Sequence, residues 1–97
     1  MVKVNHSEAQ KEGKFKLNKD GEYVGEMVYK YEGDNAINIY KTEVDDAHEG
    51  KGYATKLLDS AVEFARENDL KIIPECPFVE AKMKKDESLH DLMKTSE

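Results

Sequence analysis

The run AINIYKTEVDDAHEGKGYATKLLDSAVEFAREN, Ala36 to Asn68, changes its hydrophobic period halfway along. Ile37, Ile39 and Val44 stand in β-prone company, which predicts a strand over about 36–44. Beyond the glycines, Ala54, Leu57, Leu58, Ala61, Val62 and Ala65 fall at spacings of 3, 4, 7, 8 and 11 from the first. That is one face of an amphipathic helix over about 51–68, ended by Asn68-Asp69. A strand that feeds a helix through a glycine loop therefore lies at the centre of the chain.

Upstream, Phe15 and Leu17 alternate with Lys14, Lys16 and Asn18, as in a half-buried strand. Asn18-Lys19-Asp20-Gly21 is a turn signal. A second strand follows over about 22–32, with Tyr23, Met27, Tyr29 and Tyr31 on one face by period two, read as core beneath a helix. Glu32-Gly33-Asp34-Asn35 turns the chain into the third strand. Residues 1–12 are polar and read as a less ordered lead-in. Downstream, Leu70 to Pro74 predicts a short strand closed by proline. Pro77 suits the first position of a further helix, with Phe78, Val79 and Met83 inward. A last short helix over about 87–94 would turn Leu89, Leu92 and Met93 inward. The order predicts an α+β fold, a mixed α/β sandwich: an antiparallel three-stranded meander, a long helix, a fourth strand and C-terminal helices.

The 97 residues carry 15 Lys plus Arg and 21 Asp plus Glu, a net charge of −6. One domain over 1–97 suits that length. Hydrophobic residues make up 38% and charged residues 37%, but the apolar ones come in runs, which argues against disorder. No apolar stretch reaches the roughly 18 residues of a membrane span. Met1-Val2-Lys3-Val4-Asn5-His6 lacks the apolar segment of a secretory signal, so no membrane partner is expected. The single cysteine, Cys76, has no internal disulfide partner and suits a reducing, cytoplasmic location. The acidic balance argues against a nucleic-acid partner, and no ligand set at zinc spacing is present. A domain this small is expected as a monomer or weak homodimer.

Glu49-Gly50-Lys51-Gly52-Tyr53-Ala54 joins the third strand to the long helix. Glycines here let an anion approach the backbone, where N–H groups and the helix dipole favour negative charge. The spacing alone leaves two readings open, a phosphate cradle or a tight strand-to-helix turn. Neither G-x-G-x-x-G nor a P-loop is present.

This junction resembles that of the GNAT superfamily of acetyl-CoA-dependent N-acetyltransferases, which carries [Q/R]-x-x-G-x-[G/A]. Gly52 and Ala54 match, while Glu49 departs from the first position. The chain is similar in particular to a small single-domain branch with a Thr-Glu-Val strand end, a Gly-x-Gly-x-Ala loop and Pro-x-Cys-Pro-Phe-Val. Here these read Thr42-Glu43-Val44, Gly50-Lys51-Gly52-Tyr53-Ala54 and Pro74-Glu75-Cys76-Pro77-Phe78-Val79. Lys41 stands where that branch often has His. The resemblance implies an acetyl-CoA cosubstrate. It puts the pantetheine arm along Glu43 and Val44 and the pyrophosphate on Lys51, Gly52, Tyr53 and Ala54, with Glu49 and Gly50 at the loop entry. It implies acetyl transfer to an amine or thiol acceptor. The alternatives are a non-catalytic CoA-binding or sensing module, or a protein-interaction domain that kept the fold alone.

Cys76 precedes the helix that Pro77 opens. At an N-cap the helix's positive end favours the nucleophilic thiolate, which can accept acetyl by thioester exchange. The alternative is a small buried hydrophobe. Asn38 and Tyr40 share the third strand and are candidates for lining the cleft, with Tyr40 a catalytic proton donor. Sheet-surface roles are the alternative. His48 is read as a solvated turn residue that also lies near enough the loop to meet a phosphate. His6 and His90 offer no shared site. Lys82, Lys84 and Lys85 read first as a solvated helix face, and second, given the resemblance, as a contact for the adenosine 3′-phosphate of the cosubstrate.

Overall fold

Four strands follow one another as an antiparallel meander in the computed structural model, which describes residues 2–48 and 50–94. They are β1 (Val2–Ala9), β2 (Glu12–Lys19), β3 (Glu22–Tyr31) and β4 (Ala36–Val44). Helix α1 (Tyr53–Glu67) crosses over to β5 (Lys71–Pro74), which pairs parallel to β4. Helix α2 (Pro77–Lys85) and a 3-10 turn, Glu87–Leu89, complete the described chain. The sheet order is β1-β2-β3-β4-β5. Asp20 and Gly21, both at positive φ, form the two-residue turn between β2 and β3, the geometry that matches strand twist. Among the described residues no helix is long and apolar enough to cross a membrane.

The core lies between one face of the sheet and the two helices. Leu57, Leu58, Ala61 and Ala65 of α1 pack with Phe15, Leu17, Met27, Tyr29, Ile37 and Ile39 of the sheet, as the helical spacing predicts. Ala54 and Val62, expected inward, are half-buried. Val79 and Met83, one helical turn apart on α2, join the same cluster, and Phe78 packs partly buried at its margin. The opposite face is polar. Lys14 pairs with Glu26 at 4.0 Å and Lys41 with Glu43 at 3.6 Å, while Lys30 lies 5.7 Å from the centre of the Tyr40 ring.

Four sequence expectations are corrected. Residues 2–9, read as a less ordered lead-in, form β1, paired with β2 from Val2–Lys19 to Ala9–Glu12. The meander therefore has four strands, and the strand after α1 is the fifth. Only Val2 and Val4 show alternation there, and the pairing itself uses backbone bonds that any sequence can make, which leaves little periodic signal. The aromatic stripe on β3 loses its first member. Leu17 faces Gly25 and Asn18 faces Tyr23, so Val24 is the extra residue of a bulge. Val24 turns into the core and Tyr23 is left 42% exposed. The helix expected over 87–94 is only a 3-10 turn, after which Met93 bridges to Ile72 along the outer edge of β5. Finally, Tyr40 is the extra residue of a second bulge, since Val28 faces Lys41 and Tyr29 faces Ile39.

Candidate functional site

β4 and β5 pair only over Ala36–Ile39 and Lys71–Pro74. Past Pro74 the chain turns away: Glu75 N–H donates to the Ile73 carbonyl at 3.0 Å, and Cys76 N–H to the Ile39 carbonyl at 2.9 Å. β4 runs on to Val44 with no strand beside it on that edge among the described residues. The two strands thus open into a V, with β4 edge groups exposed along one arm.

The V leads to a cavity of about 360 Å³. Thr42 and Val44 of β4 form one wall, His48, Gly50, Gly52, Tyr53, Ala54 and Thr55 the floor, and Phe78 and Lys82 of α2 the far wall. Gly50 and Gly52 hold φ of +82° and +78°, values that L side chains rarely adopt. Gly52 is the N-cap of α1 and supplies no side-chain cap. Its carbonyl accepts the first helical bond, from Lys56 N–H at 3.1 Å. The N–H groups of Tyr53, Ala54 and Thr55 therefore have no carbonyl one turn back, and these three residues line the cavity. Such donors and the helix dipole suit an anion.

Cys76 is buried at the N-cap of α2 and makes no cap bond with its side chain. Its thiol donates to Thr42 Oγ1 at 3.4 Å, so the sulfur stands directly behind the cavity wall. Tyr40 is not brought to it. Its ring lines a different cavity, with Glu26, Val28 and Lys41, on the polar face of the sheet. Of the loop residues expected to bind, Val44, Gly50, Gly52, Tyr53 and Ala54 line the cavity. Lys51 and Glu43 are exposed and do not, Glu43 being paired with Lys41. Glu49 lies outside the described residues.

Three lining residues carry no binding reading from sequence, Thr42, Thr55 and Phe78, and Lys82, read first as a solvated helix face, lines the cavity as well. The signal for Thr42 was its period-two spacing from Val44; for Phe78 and Lys82 it was their separation of one helical turn. His48 lines the cavity floor half-buried, with Nδ1 buried and without a hydrogen-bond partner among the described residues. An adjoining cavity, lined by Tyr23, Thr42, Glu43, Val44, Asp45 and Asp46, carries negative charge. Burial first, and then Glu26 and Glu43 nearby, push the Tyr23 phenol above its ordinary range.

The open parallel pair and the glycine loop at the start of α1 belong to a fold that known proteins share. Residues 14–92 match the GCN5-related N-acetyl-transferase family, and the chain belongs to it. Protein NATD1 of mouse is 29% identical over 83 residues, covering 86% of this chain and 74% of that protein. Human Protein NATD1 is 34% identical over 58 residues, covering 60% of this chain and 51% of that protein. A GCN5-like protein from Staphylococcus aureus, solved in solution by NMR, superposes with a TM-score of 0.71 at 34% identity, covering 96% of this chain and 90% of its own. A GNAT acetyltransferase from Elizabethkingia anophelis, solved with acetyl-CoA bound, shares the fold at a TM-score of 0.63 and 14% identity. That match covers 73% of this chain and 62% of the other.

Proposed function

We propose that the protein binds acetyl-CoA in the cavity between β4, the glycine loop and α2, and transfers the acetyl group to an amine. The observation that carries the reading is one continuous space that offers both an open strand edge and partnerless helix N–H groups. The strand edge along Thr42 to Val44 suits the amide-bearing pantetheine arm, whose peptide-like groups bond as a strand would. The N–H groups of Tyr53 to Thr55 suit the pyrophosphate. The thioester end then points up the V toward Thr42 and Cys76. Membership of the family and the acetyl-CoA bound by the Elizabethkingia protein support the same ligand.

In transfer, the acceptor nitrogen attacks the thioester carbonyl, the C–N bond forms and the C–S bond breaks. Coenzyme A leaves as the thiol, taking up the proton that the nitrogen sheds. Cys76 offers a two-step route. Its thiol proton passes to the departing coenzyme sulfur and its sulfur carries the acetyl group as a thioester; the amine then attacks that carbonyl, the C–N bond forms, the bond to the Cys76 sulfur breaks, and that sulfur takes up the proton the nitrogen sheds. The bond from the Cys76 thiol to Thr42 Oγ1 supports this route, since it would hold that sulfur in line.

Titration with acetyl-CoA, followed by backbone amide NMR, tests the reading. Binding should shift the amides of Val44 and of Gly50 through Ala54 together. Flat spectra at millimolar ligand would overturn it. Intact mass after prolonged incubation should then show one added acetyl group, lost in Cys76→Ser. Binding with an unchanged mass would rule out the two-step route and leave direct transfer.

A further inference from the structure

We propose that the face of α2 bearing Phe78, Lys82 and Lys85 holds the adenosine 3′-phosphate, so that the site selects coenzyme A over its 3′-dephospho form. This rests on the acetyl-CoA reading above.

Two grooves leave the cradle, and both begin at Lys82. One, of about 570 Å³, runs between the helices and is lined by Asp59, Asp86 and Glu87 as well as Lys85. The other, of about 410 Å³, runs over α2 and is lined by Phe78, Ala81, Lys82, Lys84 and Lys85, with no carboxylate among them. A nucleotide carried from the loop toward α2 meets one of these two, and the other space adjoining the cavity, lined by Glu43, Asp45 and Asp46, is acidic. The nucleotide's 3′-phosphate is close to a dianion at neutral pH. The first groove sets three carboxylates against Lys82 and Lys85, whereas the charged groups of the second are lysines alone, so the phosphate is drawn to the second.

Within that groove the lysines are not equivalent. Lys84 is held by Glu80 at 3.4 Å. Lys82 and Lys85 make no ion pair among the described residues. Phe78, Lys82 and Lys85 fall at i, i+4 and i+7, one stripe of the helix, and the core stripe of Val79 and Met83 is separate. Lys82 Nζ lies 5.9 Å from the centre of the Phe78 ring, which steadies the ammonium at the groove mouth. Phe78 is half-buried, and its outer surface is a flat apolar platform of the kind on which a base stacks.

Isothermal titration of the full chain with acetyl-CoA and with its 3′-dephospho analogue tests this. The wild type should bind acetyl-CoA about tenfold more tightly than the analogue, as loss of charge-assisted bonds commonly gives. The double variant Lys82→Gln/Lys85→Gln should bind the two ligands alike. Lys19→Gln, at the far end of β2, should keep the preference. Equal affinities in the wild type, or a preference that survives in the double variant, would overturn the inference and leave the acetyl-CoA reading standing. Binding of neither ligand at millimolar concentration would overturn both.

Discussion

At the scale of the residue, two glycines show two different reasons for having no side chain. Gly52 needs its backbone. No atom lies within 4 Å of where a Cβ would stand, but φ is +78°. Gly52→Ala should therefore cost about 1–2 kcal/mol, the penalty of left-handed backbone for an L-residue, read from the urea midpoint. A zero change would mean that the loop relaxes to another conformation, and the cradle with it. Gly13 needs its space. A Cβ there would stand 2.5 Å from the Tyr29 hydroxyl oxygen and 2.9 Å from the Ser7 carbonyl. Gly13→Ala should cost about 1–3 kcal/mol by overpacking, and Tyr29→Phe in the same chain should return part of it. The glycine loop was visible in the sequence because its residues are contiguous. The approach of Tyr29 to Gly13 was not, since it links strands sixteen residues apart in number and neighbours only in register.

At the scale of the element, α1 was the easiest to foresee and the last turn the hardest. The α1 pattern is a 3.6-residue period sustained over four turns, and its buried residues follow that period. Leu57→Ala should destabilise by about 2–5 kcal/mol in chemical denaturation, whereas Lys56→Ala beside it should stay within about 0.5 kcal/mol. Comparable losses at both would deny α1 its place on the sheet. The stretch after Lys85 has leucines at a helical spacing too, but Asp86 captures Ser88 through its N–H and its hydroxyl, at 3.0 and 2.6 Å, and winds a 3-10 turn instead. The strands β2, β3 and β4 were legible from alternation. Their bulges at Val24 and Tyr40 were not, because an extra residue shows itself only against the partner strand. The second bulge takes Tyr40 out of the candidate site.

At the scale of the whole molecule, the edge strand β1 is tied down by a cluster that nothing in its polar sequence announces. Tyr29 donates its hydroxyl to Glu8 Oε2 at 2.6 Å, so His6 Nε2, 2.5 Å away, is the donor to the Tyr29 oxygen. Tyr31 also donates to Glu8. The His6 ring stacks on Phe15 with centroids 4.2 Å apart and meets Phe64 edge-on at 4.5 Å. Burial lowers the His6 pKa below 6.5, against a smaller opposing pull from Glu8. The tyrosine hydroxyls lower that of Glu8 below 4.5. Both groups thus contribute stability that is complete above their ordinary values and lost as pH falls through the folded ones. On the alkaline side burial raises both phenols, Tyr31 to about 12, so their share is lost only above pH 10. The melting temperature should hold between about pH 7 and 9 and fall on acidification from about pH 6.5. In His6→Phe the first part of that acid slope should vanish; if it persists, another group causes it.

The sequence by itself determined the alternation of β2 to β4, the helix α1, the short β5 closed by proline, the proline start of α2 and the glycine loop. Each rests on periodicity or on backbone chemistry confined to a few neighbouring residues, and such signals survive without knowledge of the partner. The family likeness rests on the same contiguous stretches. Only the tertiary structure decided that residues 2–9 are a strand, that Tyr23 and Tyr40 face away from the core, that Cys76 reaches Thr42, and that Phe78 and Lys82 close the cavity on α2. Those are meetings of residues far apart in the chain. They are set by bulges, by the point where β5 stops, and by which face of the sheet the helices cover.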